Sequence, residues 1–474
     1  MSDLYFDLLQ RSEQLCSNVD QKTKLANNIH NWEENHDKSL DQFSNVESAK
    51  EKTTAIIDKS LYNIDRIAFD FETGFKKNGG YVCFSMNNND VCNTVLKIIK
   101  DKKAKNVVIN SNNILDDIGI KAAVGKKVDD VSELNIDNIA ADIDYVKNTD
   151  QHPAFPAINC NSEDIIQQLS KNYGGDDSAT IPLLIGEIRA DNDKKMMDAD
   201  VFISGVNFLA ADTGSVVVID NEGAFQKAQL YAKTRIFIAS INQIIENIAD
   251  LETLVPMYSS YAYGQKLPAY CNIISGSNGL TFDEEPSETY VIITSSKRIS
   301  LLNDYNMRTA LRCINCGACM NVCPVYKCGT GKLYSSAFPG PIGLILNPMT
   351  KSLDNYHFLP FLCTLCGKCT EVCPVNIDFP SLIVQVRQTI VDEKYCSQND
   401  EDFILGLHKH LSKRKKLDRK GIMSKDKKLK HLTGQLGDWL ELPVFANKSF
   451  SEQYEILKEK ERKELEAQNK ANNK

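Results

Sequence analysis

One twelve-residue pattern, used twice, constrains this chain more than any other feature. The first copy is Cys313-Ile-Asn-Cys316-Gly-Ala-Cys319-Met-Asn-Val-Cys323-Pro324, and the second is Cys363-Thr-Leu-Cys366-Gly-Lys-Cys369-Thr-Glu-Val-Cys373-Pro374. Each reads C-x2-C-x2-C-x3-C-P, the run that carries [4Fe–4S] clusters in two-cluster iron–sulfur proteins. Thiolates are soft, electron-rich ligands of the kind such clusters select. Three cysteines at two-residue gaps let one tight loop close over three corners of a cube. The fourth points away and ligates the neighbouring cluster. The pattern therefore assigns Cys313, Cys316, Cys319 and Cys373 to one cluster, and Cys363, Cys366, Cys369 and Cys323 to the other. Gly317, Ala318 and Gly367 keep the loops small, so that backbone N–H groups can approach the sulfides. Structural zinc is the alternative, but it uses four ligands in two C-x2-4-C pairs and leaves the third cysteine and the repeat unexplained.

The chain has 15 cysteines, of which these are eight. Cys16, Cys83, Cys92, Cys160, Cys271, Cys328 and Cys396 show no framework spacing, which fits a reducing compartment. Cys328 is expected to be a spare thiol rather than a ligand. The connection from Pro324 to Leu362 is long for a compact two-hairpin ferredoxin. The flanks, Asn303 to Leu311 and Phe379 to Lys394, read as helices, the second with Leu382, Val386 and Ile390 four apart. This favours an α-helical ferredoxin domain over residues 299–396, which resembles that of succinate dehydrogenase iron–sulfur subunits.

Residues 1–77 have a helical period, with Ile57, Leu61, Ile64, Ala68 and Phe71 on one face and Gly79-Gly80 as the stop. A cap on the next domain is favoured over a free docking arm. Residues 78–298 read as α/β. Tyr81–Met86, a helix over Asn88–Ile99 and the strand Asn106–Asn110 make one β-α-β step and imply a parallel sheet. Further strands are expected at Val201–Val206, Ser215–Asp220, Arg235–Ile241 and Tyr290–Thr294, all nearly continuous in apolar character, as strands covered on both faces are. Ligands in such sheets sit beyond the carboxyl ends of strands. Two loops there, Gly205–Ser215 and Asp220–Gly223, are rich in small polar residues. Asn207, Asp212, Thr213, Ser215 and Glu222 are the pocket candidates, with Asp212 or Glu222 as a possible general base. Ordinary turn chemistry would use the same residue types.

Residues 397–474 form a charged helical tail. Lys409 to Lys430 carries a net +9 against −17 for the rest of the chain. Such a run suits an acidic partner or peripheral contact with a membrane surface, or is simply a solvated helix. It lacks the stacking aromatics of a single-strand nucleic-acid binder, and the chain is acidic overall, so no nucleic-acid partner is expected. Trp439, Leu440, Leu442, Pro443 and Phe445 offer an anchor back to the body. No apolar run approaches the length of a membrane span and the N-terminus has no secretory pattern, so the expected location is cytoplasmic.

Five features occur together in one order: Asn31-Trp32-Glu33, Ala211-Asp212-Thr213-Gly214-Ser215, Asn221-Glu222-Gly223, and the two cysteine runs with Gly340-Pro341-Ile342-Gly343 between them. The combination resembles the iron–sulfur subunit of the bacterial L-lactate utilization system, a LUD-domain protein of the B type. The resemblance covers nearly the whole chain. It implies a LUD domain similar to the sugar-phosphate isomerase and CoA-transferase α/β fold, followed by the two-cluster ferredoxin domain. It also implies two companions, a cysteine-rich subunit and a smaller LUD-domain subunit, which together with this one oxidise L-lactate to pyruvate. The chain departs from its relatives at Asn110-Ser111-Asn112-Asn113, where they are Lys/Ser-rich. It departs again at Asn159, where they have histidine, and at Gly329-Thr330-Gly331-Lys332, where they have Gly-Gly-His.

The leading expectation is an electron-transfer subunit of an oxidoreductase complex that is inactive alone. No G-x-G-x-x-G follows a strand, so no dinucleotide site is expected. The rivals are a LUD domain that is itself catalytic on another small carboxylate or phosphorylated substrate, and a non-enzymatic redox sensor or scaffold.

Overall fold

The computed structural model describes residues 3–141, 152–173, 180–277, 286–395 and 446–472, with scattered positions between 402 and 418. The chain divides into two units, residues 1–393 and 394–474.

Ten strands are described in the first unit: β1 (Tyr81–Ser85), β2 (Asn106–Asn110), β3 (Asp130–Glu133), β4 (Val201–Gly205), β5 (Phe208–Ala210), β6 (Ser215–Asp220), β7 (Thr234–Ser240), β8 (Ile244–Ile245), β9 (Tyr270–Ile274) and β10 (Glu288–Thr294). Six of them form one all-parallel sheet in the order β1-β10-β7-β4-β2-β3. The central strands are buried along their whole length, as their unbroken apolar runs require. Val91 and Val95 of the helix Asn88–Lys102 pack on this sheet with Ile109, Ile203, Ile238 and Ile292.

β6, expected in the parallel sheet, instead pairs antiparallel with β5 and β9 in a second sheet of order β8-β5-β6-β9. Its apolar run reports that both faces are covered, not which strands lie beside it. The segment Gly205–Ser215 is also not all loop, because Phe208–Ala210 is a strand and only Ala211–Gly214 turns.

Four helices, Asp3–Ser17, Val19–Leu40, Val46–Tyr62 and Ile64–Lys77, precede the sheet. They cap more than the next domain. Ser60 Oγ accepts the Glu246 N–H at 3.2 Å, while Lys50 Nζ donates to Glu371 O at 2.8 Å and Asp58 pairs with Arg312 at 2.6 Å. The helical cap therefore ties the α/β part to both cysteine runs.

From Arg298 to Asp392 the described elements are all helical. This part sits against the carboxyl ends of the parallel strands. Just past the end of β7, Asn242 donates to Leu311 O at 3.1 Å. Past β10, Lys297 donates to Lys351 O at 3.1 Å, and past β2, Asn113 donates to Ala337 O. Phe338 joins the core of the sheet itself. The edge where ligands of such sheets gather is thus the edge that meets the cysteine domain.

In the second unit, Phe450–Asn472 is a single helix with exposed side chains. Most of Lys409–Lys430, the anchor residues Trp439–Phe445 and Cys396 lie outside the described residues. Among the described residues no helix is long and apolar enough to cross a membrane.

Candidate iron–sulfur centre

The two cysteine runs fold as copies. In each, a 3-10 turn ends at the first cysteine: Met307–Arg312 before Cys313, and Leu359–Leu362 before Cys363. The residue two further on takes a left-handed backbone, Asn315 at φ 59° and Leu365 at φ 56°. That twist aims its N–H back at the first sulfur, Asn315 N at 3.4 Å from Cys313 Sγ and Leu365 N at 3.3 Å from Cys363 Sγ. Gly317 and Gly367 follow, both at φ 81°, and each opens a one-turn helix that carries the third cysteine. A leucine holding positive φ is strained, and it marks a loop whose shape is imposed by what it surrounds.

Cys313, Cys316, Cys319 and Cys373 line one small cavity of about 20 Å³. Cys373, from the far run, is an electrostatic neighbour of the other three. Cys369 has Cys323, Cys363 and Cys366 as its neighbours. The structure therefore brings the eight cysteines together in two crossed groups. Cys319 also neighbours Cys369, so the groups approach each other there.

Burial pushes the Cys313 and Cys369 thiols up to about 12, and Cys316 and Cys319 higher. Such groups become thiolates only beside compensating positive charge, which cluster iron supplies. Among the described residues no three His, Cys, Asp or Glu side chains converge as ligands of a single metal ion would. Four thiolates that each hold a different iron of one cube need no such convergence. Cys328 lies elsewhere: its thiol is hydrogen-bonded to Cys16.

A buried cation faces the first group. Arg298, the first residue of the short helix after β10, is 4% exposed. Its guanidinium lies 5.6 Å from the Phe338 ring centre and has Asp117 and Cys313 as its charged neighbours. Among the described residues it makes no side-chain hydrogen bond. A buried cation without a close partner is costly, and an anionic cluster at Cys313 relieves that cost.

His152 clamps the same loop. Its Nδ1 accepts the Ala154 and Phe155 N–H groups at 3.2 and 3.1 Å, so the proton sits on Nε2, which donates to Gly317 O at 3.2 Å. Burial lowers its pKa to about 4, and the ring is neutral.

The five pocket candidates of the α/β part do not share one cavity. The β5–β6 hairpin separates them. At its tip, Asp212 accepts the Ile248 N–H at 2.9 Å and is exposed with Thr213, while Ser215 Oγ meets Ser275 Oγ at 2.6 Å. Gly214, at φ +57°, packs on the backbone of Gly74 and Phe75, where a Cβ would lie 2.3 Å from Phe75 N. The tip is a turn fitted to the helix Ile64–Lys77.

At the base of the hairpin, Asn207 and Glu222 do meet a common structure. Asn207 accepts the Ile219 N–H and is hydrogen-bonded to Tyr258. Tyr258 is hydrogen-bonded to Tyr263, their rings 5.8 Å apart. Asp220 and Glu222 are charged neighbours of Tyr263, and Glu222 accepts the Ile136 N–H at 2.8 Å. On its other side Tyr258 neighbours Cys316 and Cys313, and burial pushes its hydroxyl up to about 12. The tyrosine path is thus a hydrogen-bonded pair, Tyr258 and Tyr263, with Glu222 as a charged neighbour of Tyr263 and the first cysteine group as the charged neighbour of Tyr258. The helix carrying those tyrosines, Leu251–Tyr263, is held by a stack in which Trp32 lies 4.7 Å from His36 and His36 lies 4.6 Å from Tyr261. That gives Trp32 of Asn31-Trp32-Glu33 its role, while Glu33 pairs with Lys327 at 3.4 Å.

Tyr258, Tyr263, His152 and Arg298 were not singled out from the sequence. The run Tyr258-Ser-Ser-Tyr261-Ala-Tyr263 was the one available signal, since three tyrosines in six residues are unusual outside a site or an interface.

A LUD-domain family model matches residues 70–294, and a 4Fe-4S dicluster-domain model matches residues 309–377. Lactate utilization protein B from Macrococcus caseolyticus is 31% identical over 368 residues, which are 78% of this chain and 77% of that protein. The chain belongs to the lactate utilization protein B family. The Bacillus cytotoxicus member is 31% identical over 75% of each chain. An uncharacterized electron transport protein of Escherichia coli, YkgF, is 27% identical over 90% of this chain and 92% of its own. The crossed cysteine groups fall within the dicluster match, and the tyrosine path lies in the LUD match.

Proposed function

We propose that this chain is the iron–sulfur electron-transfer subunit of an assembly that oxidises L-lactate to pyruvate. The observation that carries this reading is the grading of the two cysteine groups. In the first group Cys316 and Cys373 are buried, Cys313 and Cys319 are half-buried and the loop is held to His152 of the LUD domain, while in the second group Cys366 is exposed. In this reading each group holds one [4Fe–4S] cluster. The clusters supply one-electron chemistry, and the chain positions them and sets their potentials. Backbone N–H groups at Asn315 and Leu365 hold the thiolates, and His152 fixes the inner loop. The companions are a cysteine-rich subunit and a smaller LUD-domain subunit, as in the system the relatives are named for. The parallel sheet is read as sugar-phosphate isomerase-like, with its ligand edge given over to the cysteine domain.

Anaerobically purified protein should hold about eight iron and eight sulfide per chain. The isolated chain should not oxidise lactate with an artificial acceptor, while the co-purified assembly should. Zinc without sulfide overturns the cluster assignment. Lactate turnover by the chain alone at the rate of the assembly overturns the subunit reading.

The tyrosine path favours a second reading, in which the LUD domain is itself catalytic. Glu222 is then the base of choice, because it neighbours Tyr263 on the way to Cys316. Asp212 is not, since its carboxylate serves the turn at the other end of the hairpin.

A further inference from the structure

A second cavity, of about 350 Å³, opens on the surface behind the inner cysteine group. One wall is the 3-10 turn that leads into Cys313 and carries Arg308 and Arg312. Another is the start of the helix that follows Cys373, with Asp378. Asp58 and Tyr62 of the N-terminal cap and the side chain of Tyr305 complete it. The partition from the cysteines is thin. Arg312 adjoins Cys313 in the chain, and Asp378 lines this cavity while Phe379 lines the cysteine cavity.

Most of the charge in the cavity is already committed. Arg312 grips Asp58 with two hydrogen bonds, of 2.6 and 2.7 Å. Asp378 accepts from Ser381 N at 3.3 Å and Ser381 Oγ at 2.6 Å, capping its helix. Arg308 is different. Its Nε donates to Leu302 O at 2.6 Å and its guanidinium lies 4.7 Å over the Tyr62 ring, but its two terminal nitrogens have no protein acceptor among the described residues. Beside it stand two aromatic rings that folding has left open to solvent, Tyr62 at 61% and Tyr305 at 77% exposure. The volume is that of a small-molecule site. Flat rings offer stacking, and a guanidinium with free N–H groups offers paired hydrogen bonds to a carboxylate, sulfonate or phosphate.

We propose that this cavity binds a planar, conjugated, anionic electron carrier, of the phosphorylated-flavin or acidic-quinone class, and that the carrier exchanges electrons with the inner cluster. The inference rests on the iron–sulfur reading above. In the direction of cluster reduction, the reduced carrier gives up two electrons and two protons. Each of the two clusters accepts one electron, and the protons leave through the open mouth of the cavity.

The test uses the full chain with its clusters loaded anaerobically. Flavin mononucleotide and 1,4-naphthoquinone-2-sulfonate are the anionic probes, and lumiflavin and unsubstituted naphthoquinone are the neutral ones. Binding is read by equilibrium dialysis, and cluster reduction by the dithionite-reduced probe is read by stopped-flow absorbance. Arg308→Gln should weaken binding of the anionic probes by roughly tenfold or more and leave the neutral ones nearly unchanged, because it removes a charge-assisted contact. Tyr305→Leu should weaken both kinds and slow cluster reduction in step. Iron, sulfide and dithionite bleaching are measured on the same samples. If the clusters are present but the probes fail to bind, or bind the variants as well as the parent, the proposal falls while the iron–sulfur reading stands. If the clusters themselves are absent, that reading falls first.

Discussion

The two cysteine runs share a pattern, a backbone trace and a left-handed residue at the same place, yet the chain surrounds them differently. Around the first run, Cys316, Gly317, Ala318 and Met320 are buried, and a Cβ on Gly317 would lie 2.4 Å from His152. Around the second, Thr364, Leu365 and Cys366 are exposed, and a Cβ on Gly367 would meet nothing within 4 Å. A motif builds the cradle, and the neighbours decide what the cradle does. The inner loop is part of the contact with the LUD domain, and the outer loop is exposed at Thr364, Leu365 and Cys366. Electron transfer falls with distance, so an exposed cluster is the natural port for a protein partner and a buried one for a site inside the chain.

Removing one ligand from each group should separate the two centres most strongly. Cys316→Ser should lose the inner cluster and loosen the LUD contact, with a large fall in melting temperature. Cys366→Ser should lose only the outer cluster, about half the iron, with the α/β part still cooperatively folded. Cys328→Ser, whose thiol pairs with Cys16, should keep all of its iron. Iron analysis and thermal melts of the three variants decide it. Equal melts for Cys316→Ser and Cys366→Ser would mean that the inner and outer positions do not differ in what they support.

The glycines give a smaller and cleaner contrast. Gly367→Ala adds only the strain of a left-handed alanine, about 1–2 kcal/mol. Gly317→Ala adds the same strain and a collision with a buried imidazole, so it should lose about 2–5 kcal/mol. Denaturant unfolding under anaerobic conditions measures both. Replacing His152 by alanine in the Gly317→Ala background should recover part of the difference, because the collision partner is then gone.

How far the sequence foretold this arrangement differs from part to part. The pairing of the eight cysteines into two groups and the parallel strands expected from Tyr81, Asn106, Val201, Arg235 and Tyr290 were legible, because spacing and unbroken apolar runs are local properties. Ser215–Asp220 was read into the wrong sheet, since Ser-Val-Val-Val-Ile-Asp looks alike in either. β3, Asp-Val-Ser-Glu, is an edge strand too polar to register as one. Asn207, Asp212, Thr213, Ser215 and Glu222 stand out in the sequence as polar residues near strand ends, and turns use the same residues. That is why Asn207 and Glu222 fall beside the tyrosine path while Asp212, Thr213 and Ser215 form a turn. His152 acts on a loop 165 residues away, and Arg298 takes its meaning from Asp117 and Phe338, so neither has a local signal.

Arg298 carries the subtlest difference between the two centres. Reduction adds one negative charge to a cluster, and a fixed positive charge nearby favours the reduced form. The inner group has such a charge at Arg298, held in a site where water screens little. At the outer group the half-buried Arg387 is engaged by the Pro360 and Cys363 carbonyls, at 2.8 and 2.6 Å, and Lys368 is exposed, where solvent and salt screen it. Arg298→Met keeps most of the packing on Phe338 but deletes the charge. It should therefore move the inner cluster's midpoint to a more negative potential by on the order of 60 mV, the tenfold step of a one-electron couple, and leave the outer one in place. Arg298→Lys should fall between the two, because the charge remains while the planar contact with the ring is lost. A redox titration followed by electron paramagnetic resonance resolves the clusters separately. A shift shared equally by both clusters would point to a general loosening of the domain, and no shift at all would mean that the cation is balanced by Asp117 and does not feel the inner cluster.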